Sequence, residues 1–208
     1  MATNNAPRGL VLAKKNGDGS NSTGIRTIDL NGASPAVASA LIPSDVFTGD
    51  PVFIESAGTI KPSTNNNIKV AGVFQGIQFV NASGEQKFAR SFTGGTTATD
   101  VKVHIASDPD QTYFIQMDGP VTAAAGLGFG VLNTNIVVGT GSHKTGQSGY
   151  TGDADAPVVT DQHLRVIRRA PWDTGTSSSV GETDTYPWYE VRINNHFDNY
   201  TTCTLSSS

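Results

Sequence analysis

Four histidines, one cysteine and a few Gly- and Asp-rich runs are the residues of this chain that invite chemistry, and their spacing argues against most of it. His104, His143, His163 and His196 stand far apart along the chain, and Cys203 is alone. No two of them sit at metal-ligand spacing, and one cysteine supplies neither a thiolate cluster nor an intrachain disulfide. Gly126-Leu127-Gly128-Phe129-Gly130 invites a phosphate-loop reading, but such a loop must open a helix. Strand-like Val131-Leu132 and Ile136-Val137-Val138 follow it instead, with no Lys-Ser or Lys-Thr at its end, so it reads as a Gly-rich strand or bulge. Asn16-Gly17-Asp18-Gly19-Ser20 lacks the turn glycine and bidentate glutamate of a calcium loop, and both it and Asp153-Ala154-Asp155 read as turn tips. Gln147-Ser148-Gly149 comes nearest to a nucleophile elbow, yet no apolar strand precedes it. No catalytic residue, cofactor or metal is assigned, and the expectation is a protein that is not an enzyme.

The aromatic residues near the C-terminus are more informative. Pro171-Trp172 and Tyr186-Pro187-Trp188-Tyr189 flank a polar run, Asp173 to Thr185. These rings either staple the loop ends onto the core or anchor an interface, because Trp and Tyr concentrate in binding hot spots. Stacking of a sugar on the tryptophans is a third reading. Trp172, Tyr186, Trp188 and Tyr189 are the candidate contact residues.

The elements that must position them are strands. Val101, Val103 and Ile105 alternate with Lys102 and His104, placing His104 on a wet face. Tyr113, Ile115 and Met117 repeat the pattern after Asp108-Pro109-Asp110, as do Tyr189, Val191 and Ile193 near the end. Residues 70–80 form a long strand interrupted by Gly72 and Gly76, each a bulge or a close backbone approach. Asn81-Ala82-Ser83-Gly84 turns this strand back into 86–92 as a hairpin. A second hairpin is expected between Leu10-Val11-Leu12-Ala13 and 25–30. The one helical candidate is 34–41, with Ser34 as N-cap and Pro35 first.

Composition agrees. Charged residues make up 15% of the 208, well under the roughly 25% of an ordinary domain. Long solvent-facing helices need those charges, so their scarcity favours strands and turns. The net charge of −4 leaves no basic surface for a nucleic-acid backbone. No apolar run reaches membrane length, and the first residues lack the charged-then-apolar profile of a secretory signal. The expectation is an all-β fold: a compact barrel or sandwich of short antiparallel strands with long Gly/Ser/Thr-rich loops and an extended N-terminal arm. In this reading 1–8 is a flexible arm, 9–200 a single β-rich domain with a possible internal boundary at 119–120, and 201–208 a polar tail. Residues 139–156 and 173–185 read as loops rather than core.

The order of segments carries a resemblance. Thr48-Gly49-Asp50-Pro51-Val52-Phe53-Ile54, Gly72-Val73-Phe74-Gln75-Gly76 and the turn at 81–84 resemble capsid decoration (cement) proteins of tailed bacteriophages, especially those of marine and cyanobacterial podoviruses. Similar stretches continue through Asp108-Pro109, 114–119, Leu164-Arg165-Val166-Ile167 and Val191 to His196. The resemblance implies a protein made in the host bacterial cytoplasm and carried on the outer surface of the virion. Its partner would be the major capsid protein, and it would act as a homo-oligomer, a dimer or a trimer, using the N-terminal arm, Ala2 to Arg8. Arg8 joins the candidate contact residues on that account. The alternative is a head fibre or knob that binds a host receptor or glycan through Trp172, Trp188 and Tyr189.

Overall fold

Period-two alternation of apolar side chains builds two large antiparallel sheets, beside two smaller two-stranded ones, and the same alternation decides which residues close the cores between and around the large sheets. The computed structural model describes residues 5–13, 24–30, 38–55, 58–64, 69–121, 132–155, 162–173 and 185–199. In chain order the elements are β1 (Val11–Leu12), β2 (Ile25–Asp29), α1 (Ala38–Leu41), β3 (Val46–Phe47), β4 (Pro51–Ile54) and β5 (Ile60–Pro62). There follow β6 (Gly72–Asn81), β7 (Gln86–Ala89), β8 (Ser91–Phe92), β9 (Ala98–Ala106), β10 (Thr112–Gln116) and β11 (Asn133–Thr134). The last four are β12 (Ile136–Val137), β13 (Thr151–Gly152), β14 (Leu164–Arg169) and β15 (Trp188–Ile193).

The first sheet has the order β1-β10-β15-β14-β11, and the second the order β2-β9-β6-β4-β5 with β7 also on β6. The fold is all-β and antiparallel, as the sequence implies. Tyr113, Ile115, Met117, Tyr189, Val191 and Ile193 all point into one core, where Leu10, Val70, Val73 and Ala106 join them. Val101, Val103 and Ile105 point into a second core with Ile42, Val46, Phe74 and Ile77. Each such burial contributes about 1.5–3 kcal/mol. β6 and β9 serve both cores, since Val73 faces one and Phe74 the other.

Gly72 and Gly76 do what an interrupted strand implies. A Cβ on Gly72 would lie 2.3 Å from the Ala106 carbonyl oxygen, and its φ of +154° suits glycine. Gly76 follows the register shift that bends β6 against β9. The 81–84 turn joins β6 to β7 as expected, with Asn81 Oδ1 accepting the Ser83 and Glu85 N–H groups.

Two expectations are corrected. β1 and β2 do not form a hairpin: β1 pairs with β10 in the first sheet, and β2 with β9 in the second. Local turn signals suggested the pairing, but Leu10 and Leu12 find their apolar partners in the other layer. Nor is 139–156 loop outside the core. Tyr150 and Ala154 are buried in the first core, and Tyr150 Oη donates to the Ser63 carbonyl at 2.7 Å. The glycines allow this close packing, for a Cβ on Gly139 would lie 1.9 Å from the Gly149 carbonyl. The chain crosses between sheets at 107–111, while Met117 and Val121 on either side of 118–120 belong to one core. The helix appears as Ala38–Leu41; its expected start at Ser34 and Pro35 lies outside the described residues, as do 16–20, 126–130 and Cys203.

Candidate functional site

The outward face of the first sheet carries most of the candidate residues. Along β10 and β15 the inward Tyr113, Ile115, Tyr189 and Val191 alternate with outward Thr112, Phe114, Gln116, Trp188, Glu190 and Arg192. Register sets Phe114 opposite Glu190, and Val11 of β1 opposite Phe114 on its other side. The Trp172 ring lies on Phe114, with centroids 4.1 Å apart and planes at 64°. Trp172 is 57% exposed and Val11 also stands open, so Val11, Phe114 and Trp172 make an apolar strip on this face.

Asp173 fixes the turn that presents Trp172. Its N–H donates to the Ala170 carbonyl at 3.0 Å, and its Oδ2 accepts the Trp188 N–H at 2.7 Å. Oδ1 meets Arg169 Nη2 at 3.1 Å, with both side chains largely buried. The Ala170 N–H donates to the Trp188 carbonyl, closing the base of the turn on β15. Trp172 therefore stands exposed on a turn that is hydrogen-bonded at both ends, and its rotamer freedom is already reduced before anything binds.

Gln116 links this turn region to the N-terminal segment. Its side chain is 1% exposed; Oε1 accepts the Ala6 N–H at 3.0 Å and Nε2 donates to the Tyr186 carbonyl at 3.3 Å. Residues 5–10 thus run along the body, with the Leu10 N–H bonded to the Gly49 carbonyl and Arg8 exposed beside a groove of about 230 Å3. The middle of the face is a charge network. Glu190, nearly buried, is paired with Arg168 Nε and accepts Thr112 Oγ1 at 2.9 Å.

Of the five candidate contact residues, Trp172 is exposed, Tyr186 and Trp188 are half-buried, and Arg8 is exposed on the neighbouring segment. Tyr189 is different: at 0% exposure it is a core residue, and its ring makes no surface contact. The same alternation that buries Val191 and Ile193 buries it. Phe114, Gln116 and Asp173 went unassigned in the sequence. The outward position of Phe114 was readable between Tyr113 and Ile115, whereas the clamp made by Asp173 has no sequence signature.

The remaining chemistry-bearing residues are built into the structure. His163 and His196 are buried, and burial holds both below the ordinary imidazole range. His104 shares a hydrogen bond with Thr27 on the outer face of its sheet, and His143 pairs with Asp45 at 2.9 Å on the surface. Ser148 is buried, its Oγ accepting the Tyr150 N–H. Asp153 Oδ1 accepts the Asp155 N–H within a turn. Among the described residues no group of three His, Cys, Asp or Glu side chains is placed to hold a metal ion, and no helix is long and apolar enough to cross a membrane.

One buried group is out of balance. Asp50 is 1% exposed; its Oδ2 accepts the Phe47 N–H at 2.8 Å, while Oδ1 has no hydrogen-bond partner among the described residues. Burial pushes its pKa up to about 6, and the Ser148 hydroxyl and the Phe47 N–H offset only part of that rise. No protein-family model, no curated protein and no solved structure matches this chain.

Proposed function

We propose that this chain is a structural virion protein that decorates the outer surface of a phage capsid, binding the major capsid protein through the outward face of its first sheet. The observation that carries the reading is Trp172, a large apolar ring held open to solvent by a turn that is bonded on both sides. A fold gains little from exposing a tryptophan, but an interface gains a pre-ordered anchor. The all-β scaffold and the segment resemblance point the same way. A protein of this kind stabilises a shell by binding its mature form, and many weak contacts on one particle add up.

The test is binding of purified protein to capsids that lack it, followed by heating. Wild type should co-sediment with shells and raise their melting temperature, while Trp172→Ala should lose both effects and keep its own melting temperature. Wild-type protein that neither sediments with shells nor protects them overturns the proposal. The open face of the same ring also favours a glycan-binding appendage. In that case the isolated protein binds saccharide on a broad glycan panel, and Trp172→Ala abolishes it.

A further inference from the structure

The groove of about 230 Å3 beside Arg8 takes its lining from two parts of the chain. Leu10, Val11 and Leu12 supply apolar surface, held in place by the Leu10 N–H on the Gly49 carbonyl and by β1 on β10. Thr48, Gln75 and Gln147 supply polar surface. They are gathered where the Thr48 N–H donates to the Arg90 and Gly146 carbonyls and the Ser148 N–H donates to the Thr48 carbonyl.

These polar groups are unequally used. Thr48 Oγ1 is spent, donating to the Arg90 carbonyl at 2.8 Å. The half-buried Gln147 has a side-chain amide with no hydrogen bond among the described residues, and Gln75 makes a single long one, from Nε2 to the Val73 carbonyl at 3.5 Å. The Arg8 guanidinium has no ion-pair partner among the described residues. The carboxylates around it are engaged elsewhere. Asp50, next to Gly49, is buried and turned onto the Phe47 N–H, while Glu190 and Asp110 face Arg168 and Arg192. Arg90, packed against Gly146 beside Gln147, adds a second cation without an ion pair among the described residues. In a chain of net charge −4, this corner is locally positive.

The groove is also continuous with the apolar strip. Val11 lines it and stands opposite Phe114, on which the Trp172 ring lies. We propose that the groove takes an extended segment of a partner protein: an aspartate or glutamate carboxylate on Arg8, main-chain groups on the Gln75 and Gln147 amides, and an apolar side chain on the Val11–Phe114–Trp172 strip. A guanidinium fork matches a carboxylate, and a glutamine amide offers both the donor and the acceptor that a peptide bond needs. The volume lies below the roughly 300–1,000 Å3 of small-molecule sites, which favours part of a larger partner over a free ligand. The proposal rests on the reading of this face as an interface, and names the chemistry the partner presents there.

The test needs the full chain and no shell, so either reading can fail alone. The probes are terminally blocked pentapeptides with leucine at one end and glutamate, glutamine or lysine at the other, made in both orders, plus an unblocked peptide whose only carboxylate is its C-terminus. Each is titrated into labelled protein and followed by NMR. The better-bound glutamate peptide should bind about fivefold more tightly than its glutamine counterpart, shifting signals of Arg8, Val11, Gln75 and Gln147, and high salt should close the gap. Arg8→Gln should erase the preference, and Arg8→Glu should turn it toward the lysine peptide; because Arg8 is exposed, both variants should keep the wild-type melting temperature. Equal binding of the glutamate and glutamine peptides, binding of none at millimolar concentration, or a preference that survives Arg8→Gln overturns the proposal. So does selection of the free C-terminus alone, since the carboxylate would then not come from a side chain within a segment.

Discussion

Replacing Asp50 by asparagine should make the protein more stable at neutral pH, although it removes a hydrogen-bonded, buried side chain. The folded-state pKa is raised from 3.8 to about 6, chiefly by burial. A rise of that size corresponds to about 3 kcal/mol against the folded state once the carboxyl is ionised in both states. Because the folded value lies above the unfolded one, the folded chain keeps its proton where the unfolded chain has lost it. The group's penalty is therefore full above about pH 6 and shrinks as the pH falls toward 4. Asparagine has nearly the same shape and still offers an oxygen to the Phe47 N–H, at a loss of about 1 kcal/mol because that bond is no longer charge-assisted. The net gain is about 2 kcal/mol at pH 7.5, or roughly 4–8 °C in melting temperature for a chain of this size. At about pH 4.5 most of the penalty has gone, so the gain should shrink to near zero. Thermal unfolding of both proteins at the two pH values measures this, and the difference between them cancels every other titrating group. An Asp50→Asn protein equally destabilised at both pH values refutes the reasoning, because capping of the 47–50 turn would then outweigh the buried charge.

Other perturbations test separate parts of the structure. Tyr189→Ala empties a fully buried ring site and should cost about 3–5 kcal/mol in denaturant unfolding, whereas an exposed contact residue would cost far less. Gly149→Ala places a Cβ 2.3 Å from the Thr140 carbonyl oxygen, so the 139–150 segment must shift; a loss of about 2 kcal/mol or more is expected in the same assay. Burial lowers the pKa of His196, so the folded chain resists its protonation; stability from this group is whole above about pH 6.5 and declines as the pH falls through the lowered value. His196→Gln should flatten the acid side of the profile of melting temperature against pH, and an unchanged slope would show that the imidazole is not the group responsible.

What could be read from the residues was the part governed by local periodicity. Val101 to Ile105, Tyr113 to Met117 and Tyr189 to Ile193 each fixed their inward face by alternation, and the structure agrees residue by residue. Tyr189 shows the rule outranking composition: membership of an aromatic cluster suggested a surface, while its position in the alternation placed it inside. The misreadings involved partners distant in the chain. Nothing near Leu10 announces Gly49 or Tyr113, and the polar run around Tyr150 hides a buried ring whose hydroxyl is satisfied by Ser63. The candidate site followed the same division. Trp172 was legible from residue type, but the turn that holds it depends on Asp173 meeting Arg169 and Trp188, a contact made only after β14 and β15 pair.

The pairing of β1 with β10 also has a kinetic side. Val11 waits for Phe114, and β10 in turn waits for β15, whose last residue is Ile193. The first sheet is thus laced around the second, which lies wholly between β1 and β10 in the chain. The first sheet is therefore not a continuous segment, and a cut at 107–111 leaves one half with Leu10 uncovered and the other without its edge strand. Loop closures this long place the chain among slow-folding β proteins, with formation on the scale of milliseconds to seconds. Once closed, the lacing makes the two cores hard to open one at a time, and unfolding should proceed as a single cooperative event.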